Sequence, residues 1–181
     1  STLELMKELG IKFGTSAQPK YQDLSFNIHL PTSKAGTFSV FGIGGLSHAL
    51  VLDSERDTAD FFCPAGNDID YGTNTGVVGL QHQLFLSKNT FLRQTLSTQG
   101  STQSTVVDRV DRLTKEPTPF YRNDSWQGRF SYNFLVNSKV STRHTLRTGV
   151  FVDRMMFSLY DSLQPDTSLG WRTLTGVEGH S

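Results

Sequence analysis

Residues 125–153, SWQGRFSYNFLVNSKVSTRHTLRTGVFVD, hold two runs of alternating large apolar and polar residues, joined by a short basic and polar turn. A period of two marks β-strands, whose successive side chains point to opposite faces. In the first run Trp126, Phe130, Tyr132, Phe134 and Val136 share one face, broken only by Gly128. The other face carries Gln127, Arg129, Ser131 and Asn133, with Leu135 as its exception. In the second run Leu146, Val150 and Val152 face the same way as Thr148, opposite Arg147, Gly149, Phe151 and Asp153. The fold turns on where the apolar face goes: into a protein core, or into the hydrocarbon of a membrane.

Composition narrows the choice. Hydrophobic residues make up only 36% of the 181, and Ser, Thr, Gly, Asn and Gln are abundant. A soluble domain of this length must bury a continuous core to offset the entropy of ordering its backbone. Disorder is the wrong reading, because aromatics reach 11%, with 13 Phe, and they alternate. What remains is a sheet with one wet, polar face. The 17 basic residues balance 17 acidic ones, which removes the electrostatic ground for a nucleic-acid partner. No apolar run reaches the about 20 residues that a membrane helix needs. The opening STLELMKELG has neither the basic nor the apolar region of a signal peptide. The closing TLTGVEGHS reads as the start of a further strand, so the expectation is a piece of something larger.

The same period recurs outward from residues 125–153. Leu3, Leu5, Met6 and Leu9 give a short helical stretch near the N-terminus, stopped by Gly10. Phe26, Ile28 and Leu30 alternate with Ser25, Asn27 and His29, and the turn PTSKAG leads into the Gly-rich strand TFSVFGIGGLSHALVL. Val78, Leu80, Leu84 and Leu86 alternate with Gly79, Gln81, Gln83 and Phe85, and SKN turns into a weaker strand, TFLRQTLSTQGST. Three long polar stretches, around residues 53–74, 106–124 and 164–171, read as loops. Short turns (31–36, 87–89, 138–143) therefore alternate with loops of roughly twenty residues, longer than compact soluble domains usually carry. Short turns at one rim and long loops at the other describe an outer-membrane barrel. Strand length agrees: residues 73–86 and 144–160 exceed the about 5–6 residues of soluble strands. A tilted membrane strand needs about 9–11 residues to cross.

Candidate chemistry is sparse. Cys63, in FFCPAGND, has no Cys or His at ligand spacing and reads as an incidental loop thiol. His29, His48, His82, His144 and His180 form neither HxH nor HExxH, so no metal is expected. His82 interrupts an apolar face, which calls for a neighbouring partner or a different register. The D-x-D of NDID (67–70) carries oxygen ligands of the kind calcium takes, but lacks the twelve-residue Gly-centred pattern. An exposed acidic loop is ordinarily just solvated. No G-x-S-x-G elbow and no paired carboxylates argue for an enzyme. GIGG (42–45) is no phosphate loop; within a strand such glycines allow bending or close approach of another backbone. Trp126, Tyr132, Tyr160 and Trp171 suit an interfacial aromatic belt.

PKYQDLSFNIHLPTSKAGTFSVFGIGGLS (19–47), GVVGLQHQLFLSKNTFLRQTL (76–96) and STRHTLRTGVFVDRMMFSLYDS (141–162) together resemble hairpins of the barrel of TonB-dependent outer-membrane receptors. The likeness spans nearly the whole chain and includes no catalytic signature. It implies an all-β fold: an antiparallel up-and-down meander forming part of a transmembrane β-barrel, with the short helical stretch in an N-terminal external loop. Residues 1–181 would be one partial barrel segment of about six to seven strands. The family's 22-stranded barrel, plug domain and N-terminal energy-coupling box are not completed by this chain.

The resemblance further implies a place in the outer membrane of a Gram-negative cell and uptake of a scarce ligand from outside. The implied partners are outer-membrane lipid, the remaining barrel and plug, and a TonB-type energy-coupling protein reached through an N-terminus outside this chain. No cofactor is expected. From their polar face, Gln81, Gln83, Arg129, Asn133, Arg147 and Asp153 are the residues expected to line the ligand path. The rival reading is a soluble or secreted antiparallel sandwich that binds carbohydrate or protein, since its strands also alternate.

Overall fold

The computed structural model describes residues 18–54 and 66–181. These form one antiparallel sheet of seven strands: β1 (Gln18–Thr32), β2 (Gly36–Val51), β3 (Asn67–Ser87), β4 (Thr90–Val110), β5 (Pro117–Lys139), β6 (Thr145–Leu163) and β7 (Arg172–His180). Their order in the sheet is their order in the chain, and every neighbouring pair is antiparallel. A strand that leaves by a short link can only return beside itself, so the meander follows from the links. The expected helix at residues 3–10 and the thiol of Cys63 lie outside the described residues.

At one rim the links are short, at 33–35, 88–89 and 140–144. Gly36 sits at φ +83° where β2 begins, and a Cβ there would come within 2.2 Å of the Gln83 carbonyl oxygen. Only glycine fits that combination of backbone conformation and contact. At the other rim two of the expected loops are strand in part, while residues 164–171 form a link as expected. β3 takes in NDIDYGTN, β4 continues to Val110, and β5 already starts at Pro117, which leaves only residues 111–116 between β4 and β5. The reason is physical. In these outer extensions apolar residues fall on both faces, Ile69, Tyr71 and Val107 on one and Val106 on the other, so no alternation announces a strand, while the hydrogen-bond ladder simply continues from the inner part.

Register decides which residues share a face. Residues of equal parity stand opposite one another in every pair, except beyond irregularities at Phe85/Ser87, Val107/Asp108 and Asp161/Ser162. Even-numbered residues therefore form one face across the sheet. Ile28, Val40, Leu80, Leu96, Tyr132 and Val152 make a continuous apolar row through β1 to β6. Leu84, Leu92, Val136, Phe130, Phe134 and Val150 lie on the same face.

The sheet is a single layer. Among the described residues Val110 is the sole buried hydrophobic one, and no large side chain is fully buried. Leu80, Leu96, Phe130, Val150 and Val152 are all exposed. The sheet is also open, with β1 and β7 each paired on one side only. Several glycines stand beneath aromatic rings of the neighbouring strand. Phe26 lies over Gly42 and Phe41 over Gly79, each ring opposite its glycine. Cross-strand coverage of this kind restores contact that a strand glycine lacks. At Gly44 a Cβ would meet the Thr75 carbonyl oxygen at 3.2 Å and the Gly76 Cα at 3.5 Å, so this part of GIGG does bring two backbones close.

Candidate functional site

The odd-numbered face is where chemistry collects. Gln81 and Gln83 of β3, Arg129 and Asn133 of β5, and Arg147 and Asp153 of β6 all stand on it, as their alternation requires. Gln81 and Asn133 flank Thr95 in one row. Gln83 accepts hydrogen bonds from Arg93, at 3.3 Å from Nε and 3.0 Å from Nη2. Arg93 in turn stands 5.7 Å from the centre of the Phe91 ring. Arg129 lies against Met155, with Nη2 4.0 Å from the sulfur, and its buried Nε has no hydrogen-bond partner. Asp153 faces Ser131 and Arg147 faces Asn137. The six residues thus mark a surface across β3 to β6 rather than one point.

Two features of this face were not legible in the sequence. The first lies where β5 and β6 approach the long links. Asp161 Oδ1 accepts from the Tyr121 hydroxyl at 2.6 Å and from Asn123 Nδ2 at 2.7 Å. Asn123 is only 8% exposed, and its Oδ1 has no partner. The second is a hollow of about 350 Å³ just inside that network, lined on the polar face by Ser101, Gln103, Ser125, Gln127, Phe157 and Leu159. Parity would have found both, because Tyr121, Asn123, Ser125 and Gln127 alternate. Residues 121–124 had been assigned to a loop, where parity carries no meaning.

The titratable groups singled out from the sequence have separate tasks. His29 and His48 are on opposite faces: His29 Nδ1 is 2.8 Å from Ser39 Oγ, and His48 Nε2 is 2.6 Å from Asp70 Oδ1. His82 keeps its place on the apolar face because it has neighbours. Its ring stacks on Phe38, with centroids 4.4 Å apart, and its Nε2 is 2.7 Å from the Ala35 carbonyl oxygen. The two carboxylates of NDID diverge in use. Asp68 accepts from the Ser54 amide at 2.9 Å and the Ser54 hydroxyl at 2.6 Å, while Asp70 takes His48. Asp53, 5% exposed, accepts from the Gly66 amide at 3.0 Å and pairs with Lys115 at 3.7 Å. These contacts tie the β2–β3 link to the β4–β5 turn. Among the described residues no three His, Cys, Asp or Glu side chains converge as metal ligands.

Aromatic and cationic side chains meet near the long-link rim. Arg109 lies 3.7 Å from the centre of the Phe120 ring, and Arg122 lies 5.2 Å from Trp171. Arg122 also pairs with Asp108 at 2.8 Å. Trp126, Tyr132 and Tyr160 stand exposed on the apolar face. Among the described residues no helix is long and apolar enough to cross a membrane, which says nothing of crossing by strands. No family model, no curated protein and no solved structure matches the chain.

Proposed function

We propose that this chain is a wall segment of an outer-membrane β-barrel receptor of the TonB-dependent kind, which takes up a scarce ligand from outside. One observation carries the reading: a single-layer sheet whose apolar face runs uncovered through its strands. Soluble monomers tolerate exposed apolar patches of only a few hundred Å². The dimensions fit. Trp126 and Val136 are ten steps apart on β5. At about 3.3 Å per step that is about 33 Å along the strand. A tilt of about 40° projects it to about 25 Å, the height of the apolar band on such barrels.

In this reading Ile28, Val40, Leu80, Leu96, Tyr132 and Val152 meet lipid, and the polar face lines the interior. Gln81, Gln83, Arg129, Asn133, Arg147 and Asp153 then guide the ligand along the wall. Further strands close the barrel, a plug fills it, and an energy-coupling protein of the inner membrane drives release. Arg154 is the cost that this assignment carries. It stands opposite Phe130 on the apolar face, the one Asp, Glu, Lys or Arg among the described residues in the rows from Gly128 to Val136.

Spin labels test the assignment. With the chain in lipid or detergent, labels at Leu80, Leu96 and Val150 should report hydrocarbon, and labels at Gln81 and Asn133 should report water. Equal burial of both sets in protein would overturn the barrel in favour of a soluble sandwich.

A further inference from the structure

Beyond a wetted wall, the polar face holds a built recess. Ser101, Gln127, Phe157 and Gly179 stand side by side in one row across β4 to β7, and Gln103, Ser125 and Leu159 occupy the next row toward the long-link rim. Gly179 has no side chain to lift its neighbour off the sheet. The Phe157 ring lies over it, where an added Cβ would come within 2.6 Å of the ring carbons. Phe157 still keeps 45% of its surface exposed. It is a flat apolar platform beside two amides and two hydroxyls. One row further out stands Asn123, with the buried Oδ1 that lacks a donor.

The chemistry of this recess is specific. Its hydrogen-bonding groups, Ser101, Gln103, Ser125 and Gln127, are all uncharged and can both donate and accept. Nothing in the lining would favour an anion or a cation. A flat apolar surface ringed by neutral donors and acceptors complements a molecule with an apolar C–H face and hydroxyls around its edge. The volume, about 350 Å³, falls within the range of small-molecule sites, about 300–1,000 Å³.

We infer that the recess is a subsite for a neutral carbohydrate, with one sugar ring stacked on Phe157 and its hydroxyls bound by Gln103, Gln127, Ser101 and Ser125. The inference rests on the barrel reading, because that reading makes this face the water-filled interior. It also narrows that reading, which leaves the ligand class open.

The test uses the chain in detergent micelles against an array of neutral oligosaccharides (α- and β-glucans, mannans, xylans, galactans, fructans), with anionic ferric chelates as the contrasting probe. At least one neutral oligosaccharide should bind, independently of salt up to 0.5 M, as expected for uncharged recognition, on the order of the screening limit and beyond. Phe157→Ala should weaken that binding at least about fivefold, the scale of one lost stacking contact on an aromatic platform. Phe157→Trp should keep binding and add a fluorescence change on saturation. Gln127→Ala, which leaves the platform intact, should weaken it less. The inference is overturned if none of the oligosaccharides binds, if binding survives Phe157→Ala unchanged, or if only the anionic chelates bind. The spin-label result separates the two readings. Lipid and water reported on the expected faces, with no sugar bound, sinks the carbohydrate subsite alone; apolar labels buried in protein sink the barrel.

Discussion

The inner half of the sheet, toward the short turns, and the outer half, toward the long links, are built from the same ladder by different means. In the inner half the two faces are chemically opposite. Leu80, Leu96, Tyr132 and Val152 line one, and Gln81, Thr95, Asn133 and Asp153 occupy the other. In the outer half both faces mix polar with apolar residues, and specific contacts add to the ladder: Asp161 with Tyr121 and Asn123, Arg122 with Asp108, and Asp53 with Lys115. The contrast teaches that the side-chain pattern, not the backbone, differs along each strand. One half sorts apolar and polar residues by face; the other mixes them.

A charge placed in the apolar row should break this contrast most. Leu80→Arg in a lipid-embedded sheet should cost about 2–4 kcal/mol, whereas Ser104→Arg in the outer half should cost about 0–1 kcal/mol. Unfolding titrations from bilayers compare them directly. Arg154→Leu should move the other way and stabilise the inserted form. Equal effects at residues 80 and 104 would mean that the two halves share one environment.

The next effect concerns backbone contacts. A Cβ at Gly149, on β6 in the inner half, would come within 2.3 Å of the Phe134 carbonyl oxygen. That atom belongs to the backbone and cannot swing away, so Gly149→Ala should destabilise by about 1–3 kcal/mol, as overpacking does. Gly72 in the outer half has nothing within 4 Å of the same position. Gly72→Ala should be neutral or stabilise by up to about 1 kcal/mol, by restricting the unfolded chain. Chemical denaturation midpoints of the two variants give the comparison.

Legibility in the sequence divides along the same line. Six of the seven strands and the sharing of a face by Phe130, Phe134, Val136, Leu80, Leu84, Val150 and Val152 follow from alternation, and the strand order from the links, because there apolar and polar residues are sorted into every second position. The same parity put Gln81, Gln83, Arg129, Asn133, Arg147 and Asp153 on one face. Where both faces mix polar and apolar residues, no alternation marks one residue in two. Residues 67–74, 106–110 and 117–124 therefore read as loops although they pair without interruption, apart from the shift at Val107/Asp108. Tyr121, Asn123 and Asp161 were hidden for that reason, and Phe157 because its role depends on Gly179 in another strand.

The smallest effect lies at the tip of the outer half, in the turn at residues 111–116. Asp111 Oδ1 accepts from the Leu113 amide at 2.8 Å and the Thr114 amide at 2.9 Å. Lys115 closes the turn at φ 60°, its amide donating to the Asp111 carbonyl at 3.0 Å. The backbone hydrogen bonds from Thr114 and Leu113 favour the carboxylate and hold the Asp111 pKa below its ordinary value of 3.8. A depressed folded value makes the contribution to stability full above the unfolded pKa and lost as pH falls through the folded one. The turn should therefore hold at neutral pH and loosen only in acid below about pH 4, given the ordinary carboxylate range. Amide exchange of Leu113 and Thr114, measured against pH, should quicken there beyond its intrinsic pH trend. The inner row at Leu80 and Leu96, which carries no carboxylate and no histidine, should not follow. Asp111→Asn, which cannot ionise but still offers an oxygen, should remove the acid-dependent step. A step that persists in that variant would place its origin outside the turn.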